Sequence, residues 1–494
     1  TAITEESPKE PDLEFISSTL ALTAITNEGE TIWKLFADEA DAKIGEEGSY
    51  GNLKGVKVIL FRDNQEIISI QSQRGWANQV LKQFNLEGDV NAITKDKRIR
   101  LNASRVSGSA EEGTLTASDE VRTFFDGISM GIASIVNARF HGASNTNRTT
   151  DEENVRLEYL TFQGSDVWFT DRAKNMQISN VRSGEMHSLQ DGEKFNIKAE
   201  GSPIKAEWKR EGLYVECSNL DSILLPQTGA ATDSYKLYTA NFKGGVTIKI
   251  DPDKSKNPSA PSKYVIIIKS SNAVYDETSS TLKFTGGVTV TSTHSSLVGN
   301  MRASTATVHL KKGTYEPDYL IAEGSNITYV DDSSGLNVSG LTWMKIGPEQ
   351  NGKTRKLEGR GSPVRAVIKD KEFELTAQHI QATILSEEGS GTAEERLLAA
   401  SFSGGITSKL SGEIKTSAGA IRKWSLSVKC PEMRYEKSTS SLTLLGGVTI
   451  EGDHPILGAG GGTAFAPRAR LEFKKGTFEP QSVRMERDNA KATS

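Results

Sequence analysis

Cysteine is almost absent from this chain, which holds only Cys217 and Cys430 among 494 residues. Two thiols so far apart are too few for a disulfide framework and wrongly spaced for a structural zinc site, so we expect two buried free thiols. An excess of one charge is lacking too, because 59 lysines and arginines face 64 aspartates and glutamates. This balance argues against a nucleic-acid partner, which normally demands a basic face.

Long apolar runs and helical periodicity are also missing. No run approaches the roughly 20 residues that span a bilayer, and the chain starts at Thr1, so we expect that a signal peptide or anchor precedes it. The sequence contains instead short segments of alternating apolar and polar residues, such as "GVKVILF" and "EIISIQS". That alternation is the period of a β-strand, so the sequence predicts an all-β protein built from stacked sets of strands.

An internal repeat occupies the later part of the chain. "GSPIKAEWKREG" at 201 aligns with "GSPVRAVIKDKE" at 361, an offset of 160 (361 − 201). The closing segments "KKGTYEP" at 311 and "KKGTFEP" at 474 lie 163 apart, so the second copy has three extra residues, which we place in "GDHPILGAGGG". The repeat and the polar stretch "HGASNTNRTTDEEN" predict a flexible lead at 1–19, a first domain at 20–140, a linker at 141–154, repeat units at 155–320 and 321–480, and a flexible tail at 481–494.

Pairs of glycines recur inside predicted strands, as in "LKFTGGVTV" at 282, and a relative, "NLEGDV", occurs at 85. The apolar stripe of each strand includes the first glycine, which should leave space on the inner face. The second position is glycine or Asp89, residue types that tolerate positive φ. We predict a sharp bend there, preferred to a β-bulge because an extra residue would shift the stripe. The bend residues are Gly88, Asp89, Gly244, Gly245, Gly286, Gly287, Gly404, Gly405, Gly446 and Gly447.

Two longer segments resemble a known family. "YDETSSTLKFTGGVTV" at 275 and "YEKSTSSLTLLGGVTI" at 435 resemble the OstA-like repeats of LptA-type lipopolysaccharide-transport proteins. The first domain is similar to LptC in the order of "IWKLFADEADA", "LKGVKVILF", "IQSQRGWANQ" and "NLEGDVNAITKDKRIRLNASRV". The chain departs from the family in its second glycine, where asparagine is usual, and in joining one LptC-like domain to two LptA-like units. The resemblance implies tandem curved open β-jellyroll (OstA-like) units, stacked end to end into an elongated trough.

The resemblance also implies a function without chemistry, cofactor or metal. An apolar interior would shield the acyl chains of lipopolysaccharide or a related glycolipid between the inner and outer membranes, in the periplasm. Its partners would be other Lpt-type jellyroll proteins, in the inner-membrane transporter complex and at the outer-membrane receptor, joined by end-to-end strand addition. The inward residues are the candidate lipid contacts, with closed core as the alternative for each: Leu86, Val90, Phe242, Val246, Ile248, Phe284, Val288, Val290, Phe402, Ile406, Leu444, Val448 and Ile450.

Two other classes of function remain open. A structural or adhesive surface protein would share the β-repeats but have a filled interior. A polysaccharide-active enzyme needs converging carboxylates, and the repeats offer no matched inward acidic pair, since Asp276 aligns with Glu436 but precedes a turn. His294 and His454 also share a repeat position, and we expect both to be loop residues rather than metal ligands.

Overall fold

The structure is a computed structural model, and it describes residues 13–45, 48–62, 64–109, 114–125, 128–141, 156–171, 175–189, 194–226, 235–251, 265–294, 297–332, 335–349, 353–368, 373–385, 396–415, 421–458 and 460–486. Nearly all of these residues are in strands, interrupted by single 3₁₀ turns at Lys437–Thr439 and Pro455–Leu457. No helix in the described ranges has the length and apolar character needed to cross a membrane. The predicted all-β class is therefore confirmed.

The first twelve strands are β1 (Leu13–Ser17), β2 (Leu20–Ile25), β3 (Thr31–Gly45), β4 (Gly48–Arg62), β5 (Gln65–Asn78), β6 (Gln83–Thr94), β7 (Ile99–Ser109), β8 (Thr114–Phe125), β9 (Ile128–His141), β10 (Arg156–Asp171), β11 (Met176–Leu189) and β12 (Lys194–Trp208). Next come β13 (Leu213–Pro226), β14 (Tyr235–Ile250), β15 (Ile266–Asp276), β16 (Thr281–Ser292), β17 (Gly299–Leu310), β18 (Pro317–Asp331) and β19 (Leu336–Pro348). The last are β20 (Thr354–Ile368), β21 (Phe373–Leu385), β22 (Leu397–Lys415), β23 (Ile421–Glu436), β24 (Ser441–Gly452), β25 (Gly462–Phe473) and β26 (Pro480–Glu486).

The strands form an open antiparallel sheet that does not close on itself, as expected for jellyroll units. Strands consecutive in the chain pair with each other, and β1 and β2 both pair with β3. The chain packs into two compact units, Thr1–Lys209 with Val215–Lys243, and Arg210–Tyr214 with Gly244–Ser494. The predicted linker lies outside the described residues from 142 to 154, and the predicted domain limits stay a prediction.

The repeat reappears in the strands. β12 and β20 begin and end 160 residues apart (354 − 194 and 368 − 208), and each contains one cis peptide bond, at Ser202–Pro203 and Ser362–Pro363. β16 and β24 are also 160 apart, whereas β17 and β25 are 163 apart (462 − 299). The three extra residues therefore lie between Gly452 and Gly462, where the sequence placed them.

The glycine pairs mark β-bulges. Both residues of every predicted pair have positive φ, from +46° at Asp89 to +91° at Gly404 and Gly447. In β16 the chain advances six residues from Phe284 to Val290. The stretches of β15 and β17 that pair with it advance only five residues, from 268 to 273 and from 301 to 306. The same extra residue occurs in β6, β22 and β24. The prediction of a bend without a bulge was therefore wrong. The apolar stripe of β16 keeps its period of two through the bulge, and the shift by one residue appears in the stripes of β15 and β17 instead.

The prediction that the first glycine leaves space on the inner face was also wrong. Gly286 is exposed, and a Cβ added to it would lie 2.6 Å from the Cβ of Ser271, an exposed residue on β15. A Cβ at Gly287 would meet nothing within 4 Å. The first position therefore needs glycine to admit a side chain of the preceding strand on the outer face, and the second needs it for positive φ alone.

These two roles predict different tolerance at adjacent positions. Gly287→Ala should lower the free energy of unfolding by about 1–2 kcal/mol through its backbone conformation, and Gly287→Asn by less, because asparagine tolerates positive φ. Gly286→Ala should cost more than Gly287→Ala, since it adds a clash to the same strain. Urea denaturation of the three variants measures the order, and equal losses at both positions would contradict the assignment.

Candidate apolar binding interior

All thirteen predicted inner-face residues are buried. The most exposed is Phe402, at 7%, and six of the others are at 0%. They lie on β6, β14, β16, β22 and β24, and residues between them, such as Lys283 and Thr289, are exposed. The alternation of each strand thus places one apolar stripe inside, and contact of these residues with a lipid stays a proposal.

Each unit has a small cavity between apolar side chains of its described residues. In the second unit, Phe402, Leu442 and other apolar or aromatic side chains line a cavity of about 20 Å³. In the first unit, Val106, Phe125 and their neighbours line one of about 40 Å³. A single water needs about 10–15 Å³ by such a measure, so neither cavity could hold an acyl chain without expansion.

Opposite ends of the strands meet in the second unit. From β16 onward, even-numbered strands start at one side, end A, and finish at the other, end B. Asp331 is the last residue of β18 and lies at end B. Asp331 and Ile368 both pair with Leu336, so Ile368 lies at end B as well. Arg355, at end A, precedes Ile368 by 13 residues (368 − 355), about 43 Å of extended strand. Arg355 nevertheless forms an ion pair with Asp331. The sheet therefore folds over until end A of its strands contacts end B.

An aromatic cluster makes the same connection further along this unit. Phe373 begins β21 at end B, and Phe473 finishes β25 at end A. Phe478, in the turn after β25, has its ring centroid 5.6 Å from those of both phenylalanines and 5.5 Å from that of Tyr435. This turn is the "KKGTFEP" segment of the repeat, so one function of the segment is to place a ring between the two ends.

In the first unit, end A and end B are defined in the same way from β6 onward. Two aromatic contacts between its described residues connect these ends. Trp33 lies at end B and Phe84 at end A, with ring centroids 6.5 Å apart in an edge-to-face arrangement. Phe125, at end B, meets Phe195, at end A, at 5.4 Å. We call the line along which end A meets end B in each unit the seam, marked by these two contacts, by Asp331–Arg355 and by Phe373–Phe478.

The seam is held by side chains. The described backbone hydrogen bonds outside the strands join residues at one and the same end, such as Phe473 to Ser440 and Leu310 to Ser280. Parting the seam would therefore leave the described strand ladders intact.

The residues considered for catalysis or metal binding have structural contacts. Asp276 and Glu436 accept hydrogen bonds within their own turns, from the backbone of Thr278 at 2.8 Å and the hydroxyl of Ser438 at 2.8 Å. His294 and His454 both lie outside the strands, as expected of loop residues, but both are buried, and Nδ1 of His454 accepts a hydrogen bond from the backbone of Ile456. Burial lowers the pKa of His454. Within the described ranges no group of three or more His, Cys, Asp or Glu side chains could hold a metal ion.

Sequence reasoning missed two features of this region. The first is a further bulge at Asp119 and Glu120 in β8, where both residues have positive φ. Its signal was the spacing of four between Ala117 and Val121, the same as between Leu86 and Val90. The second is the charged part of the interior, described below.

Comparison with known proteins agrees with the resemblance at the start of the chain. Residues 1–130 match the family model described as "Lipopolysaccharide-assembly, LptC-related". Among curated proteins, none matches the chain. Over these 130 residues, the chain is therefore similar to LptC-related lipopolysaccharide-assembly proteins.

Proposed function

We propose that the protein is a non-catalytic carrier that shields the acyl chains of lipopolysaccharide or a related glycolipid in its apolar interior during transport from the inner to the outer membrane. The observation that carries this proposal is a buried apolar stripe in each unit beside a seam where side chains such as Asp331 and Arg355 meet, in a chain whose first 130 residues match the LptC-related family model. Exposing an acyl chain to water costs about 0.8 kcal/mol per CH₂, so a crossing of the aqueous periplasm needs a continuous apolar surface.

The same proposal covers the setting of the protein. The carrier would work in the periplasm, with an inner-membrane anchor outside this sequence, and its terminal strands would pair with jellyroll proteins of the transporter complex and of the outer-membrane receptor. The LptC-related match supports this setting in general terms. The thirteen inner-face residues would be the lipid contacts.

A second candidate has its own observation. Because each of the two apolar cavities between the described residues has room for only one to a few waters, a structural or adhesive β-repeat protein with a permanently closed core also fits the packing there. The two candidates differ in whether the seam ever parts. Only the carrier requires an interior that exchanges its own side-chain contacts for contacts with acyl chains.

Binding of an environment-sensitive fatty-acyl probe to the full chain separates the two candidates. The carrier should bind the probe and release it on addition of lipopolysaccharide, whereas deacylated lipopolysaccharide should displace little. Because deacylation removes only the chains, it is the matched control for the sugar part. Absence of probe binding would favour the closed core, and equal displacement by the deacylated form would indicate a sugar-binding surface instead.

A further inference from the structure

The seam of the second unit contains a buried cluster of charges. Arg355 and Asp331 are both 0% exposed, and Arg396, at the start of β22, is 5% exposed. All three lie within electrostatic range of Tyr329, a fully buried residue whose pKa is raised by that burial. Arg355 and Arg396 both lie at end A, and Asp331 reaches them from end B. The interior therefore has two guanidinium groups and one carboxylate at the seam.

The two arginines are incompletely paired. Nε and Nη1 of Arg355 and Nε of Arg396 are buried without a hydrogen-bond partner. Arg396 makes one long hydrogen bond, from Nη2 to the carbonyl oxygen of Leu385 at 3.5 Å. Among its described contacts no carboxylate neutralises it. Buried donors without partners are costly, and a buried charge is costlier still, so these groups demand an explanation.

The first copy of the repeat has no charge at the position of Arg355, although it keeps a buried aspartate, Asp171, at the position of Asp331 (331 − 160). The repeat equivalent of Arg355 is Phe195, 160 residues earlier (355 − 195), which connects the two ends by its contact with Phe125. An edge-to-face aromatic pair therefore connects the two ends at the equivalent place in the first copy. Well-packed apolar residues are often as stable as a buried ion pair or more so, which makes a purely structural reason for the arginines weak.

The unpaired donors fit one class of ligand. A guanidinium presents its N–H groups in a planar fork that matches a phosphate, and two such groups can neutralise a doubly charged phosphate monoester. The location suits a lipid, because a phosphate at the seam would leave the attached acyl chains directed into the apolar interior. A phosphate could also replace Asp331 as the partner of Arg355 and so release one of the contacts that hold the seam shut.

We propose that Arg355 and Arg396 form a binding site for the phosphate group of a lipid headgroup, which displaces Asp331 and thereby opens the seam where the lipid enters. This inference rests on the proposed carrier function and deepens it, since it names the headgroup chemistry and the contact that the ligand breaks. Inorganic phosphate shares the chemistry but has no acyl chains, so the test includes it as a separate probe.

The test compares phosphatidic acid with diacylglycerol of identical chains, both titrated against the full chain. Wild type should bind phosphatidic acid about tenfold to a hundredfold more tightly, the range expected from one or two charge-assisted hydrogen bonds. The variant Asp331→Leu/Arg355→Met/Arg396→Met should bind both lipids with the affinity that wild type has for diacylglycerol. Retained diacylglycerol binding shows that this variant is folded. Arg365→Met, an exposed arginine on the outer face of β20, is the matched control and should keep the preference.

Three results would overturn the proposal. A preference that is absent in wild type, or unchanged in the triple variant, removes the phosphate site but leaves the carrier intact, because diacylglycerol still binds. Failure of wild type to bind either lipid removes the carrier function and the site together. A thermal shift of wild type by inorganic phosphate, absent in the triple variant and without any preference between the lipids, assigns the site to a free anion.

Discussion

Asp331→Ala should lower the free energy of unfolding by about 3–5 kcal/mol, one of the largest losses expected from a single substitution in this chain. The change leaves Arg355 fully buried with no counter-charge at the seam. Arg355→Ala should have an effect of the same order, because it removes the guanidinium partner of the buried Asp331 carboxylate and empties the space of a large buried side chain. Urea denaturation of the full chain, followed by far-ultraviolet circular dichroism, measures both.

The paired variant Asp331→Leu/Arg355→Met is the control for this prediction. It removes both charges and keeps apolar volume at the seam, so its stability should lie within about 1–2 kcal/mol of wild type, or above it. The contrast between single and paired variants measures unpaired burial rather than lost packing. Small losses in the free energy of unfolding of both single variants would mean that water reaches the ion pair. That result would contradict a seam that excludes water.

Covalently joining the two ends should abolish loading of the second unit. The variant Phe373→Cys/Phe478→Cys places one thiol at each end, where the native rings are 5.6 Å apart. A short bifunctional thiol reagent should leave the native thiols untouched, because burial raises the pKa of Cys217 to about 12 and that of Cys430 to about 11. If acyl chains enter through the seam, the reagent should reduce their capture inside this unit by about tenfold or more, since the binding-competent open state is removed.

Tyr435→Cys/Phe478→Cys is the matched control for the crosslink. Its two positions are as close, with ring centroids 5.5 Å apart, but Tyr435 belongs to end A like the turn that carries Phe478. A link within one end leaves the seam free to part, so loading should persist. Equal loss in both linked variants would indicate general damage, and no loss in the Phe373→Cys/Phe478→Cys variant would exclude entry at this part of the seam.

The inner stripes could be predicted from sequence because alternation is a local property. Phe284, Val288 and Val290 follow the period of two within one strand, and their burial needs no knowledge of the neighbouring strands. The resemblance of the first domain rested on comparably local patterns and agrees with the family match over residues 1–130. Features of this kind are set by the residue types at neighbouring positions.

The bulges and the seam could not be predicted in that way. A bulge is a difference in residue count between paired strands, and the stripe of β16 hides it because the shift appears on β15 and β17. Asp331 and Arg355 are 24 residues apart and lie at opposite ends of strands that are not neighbours. Their contact exists only because the whole sheet folds over. The one available signal was the departure from the repeat, in which arginine replaces Phe195.

The most direct test of a lipid-carrying interior is photo-crosslinking from inside and outside one strand. A small aliphatic diazirine residue at Val288, which is 1% exposed, faces the interior, and the same residue at the adjacent Thr289 faces outward. After incubation of the full chain with lipopolysaccharide and irradiation, the account predicts glycolipid adducts at Val288 and few at Thr289. Adducts only at Thr289, or at neither position, would contradict it and leave a protein whose interior is a closed core.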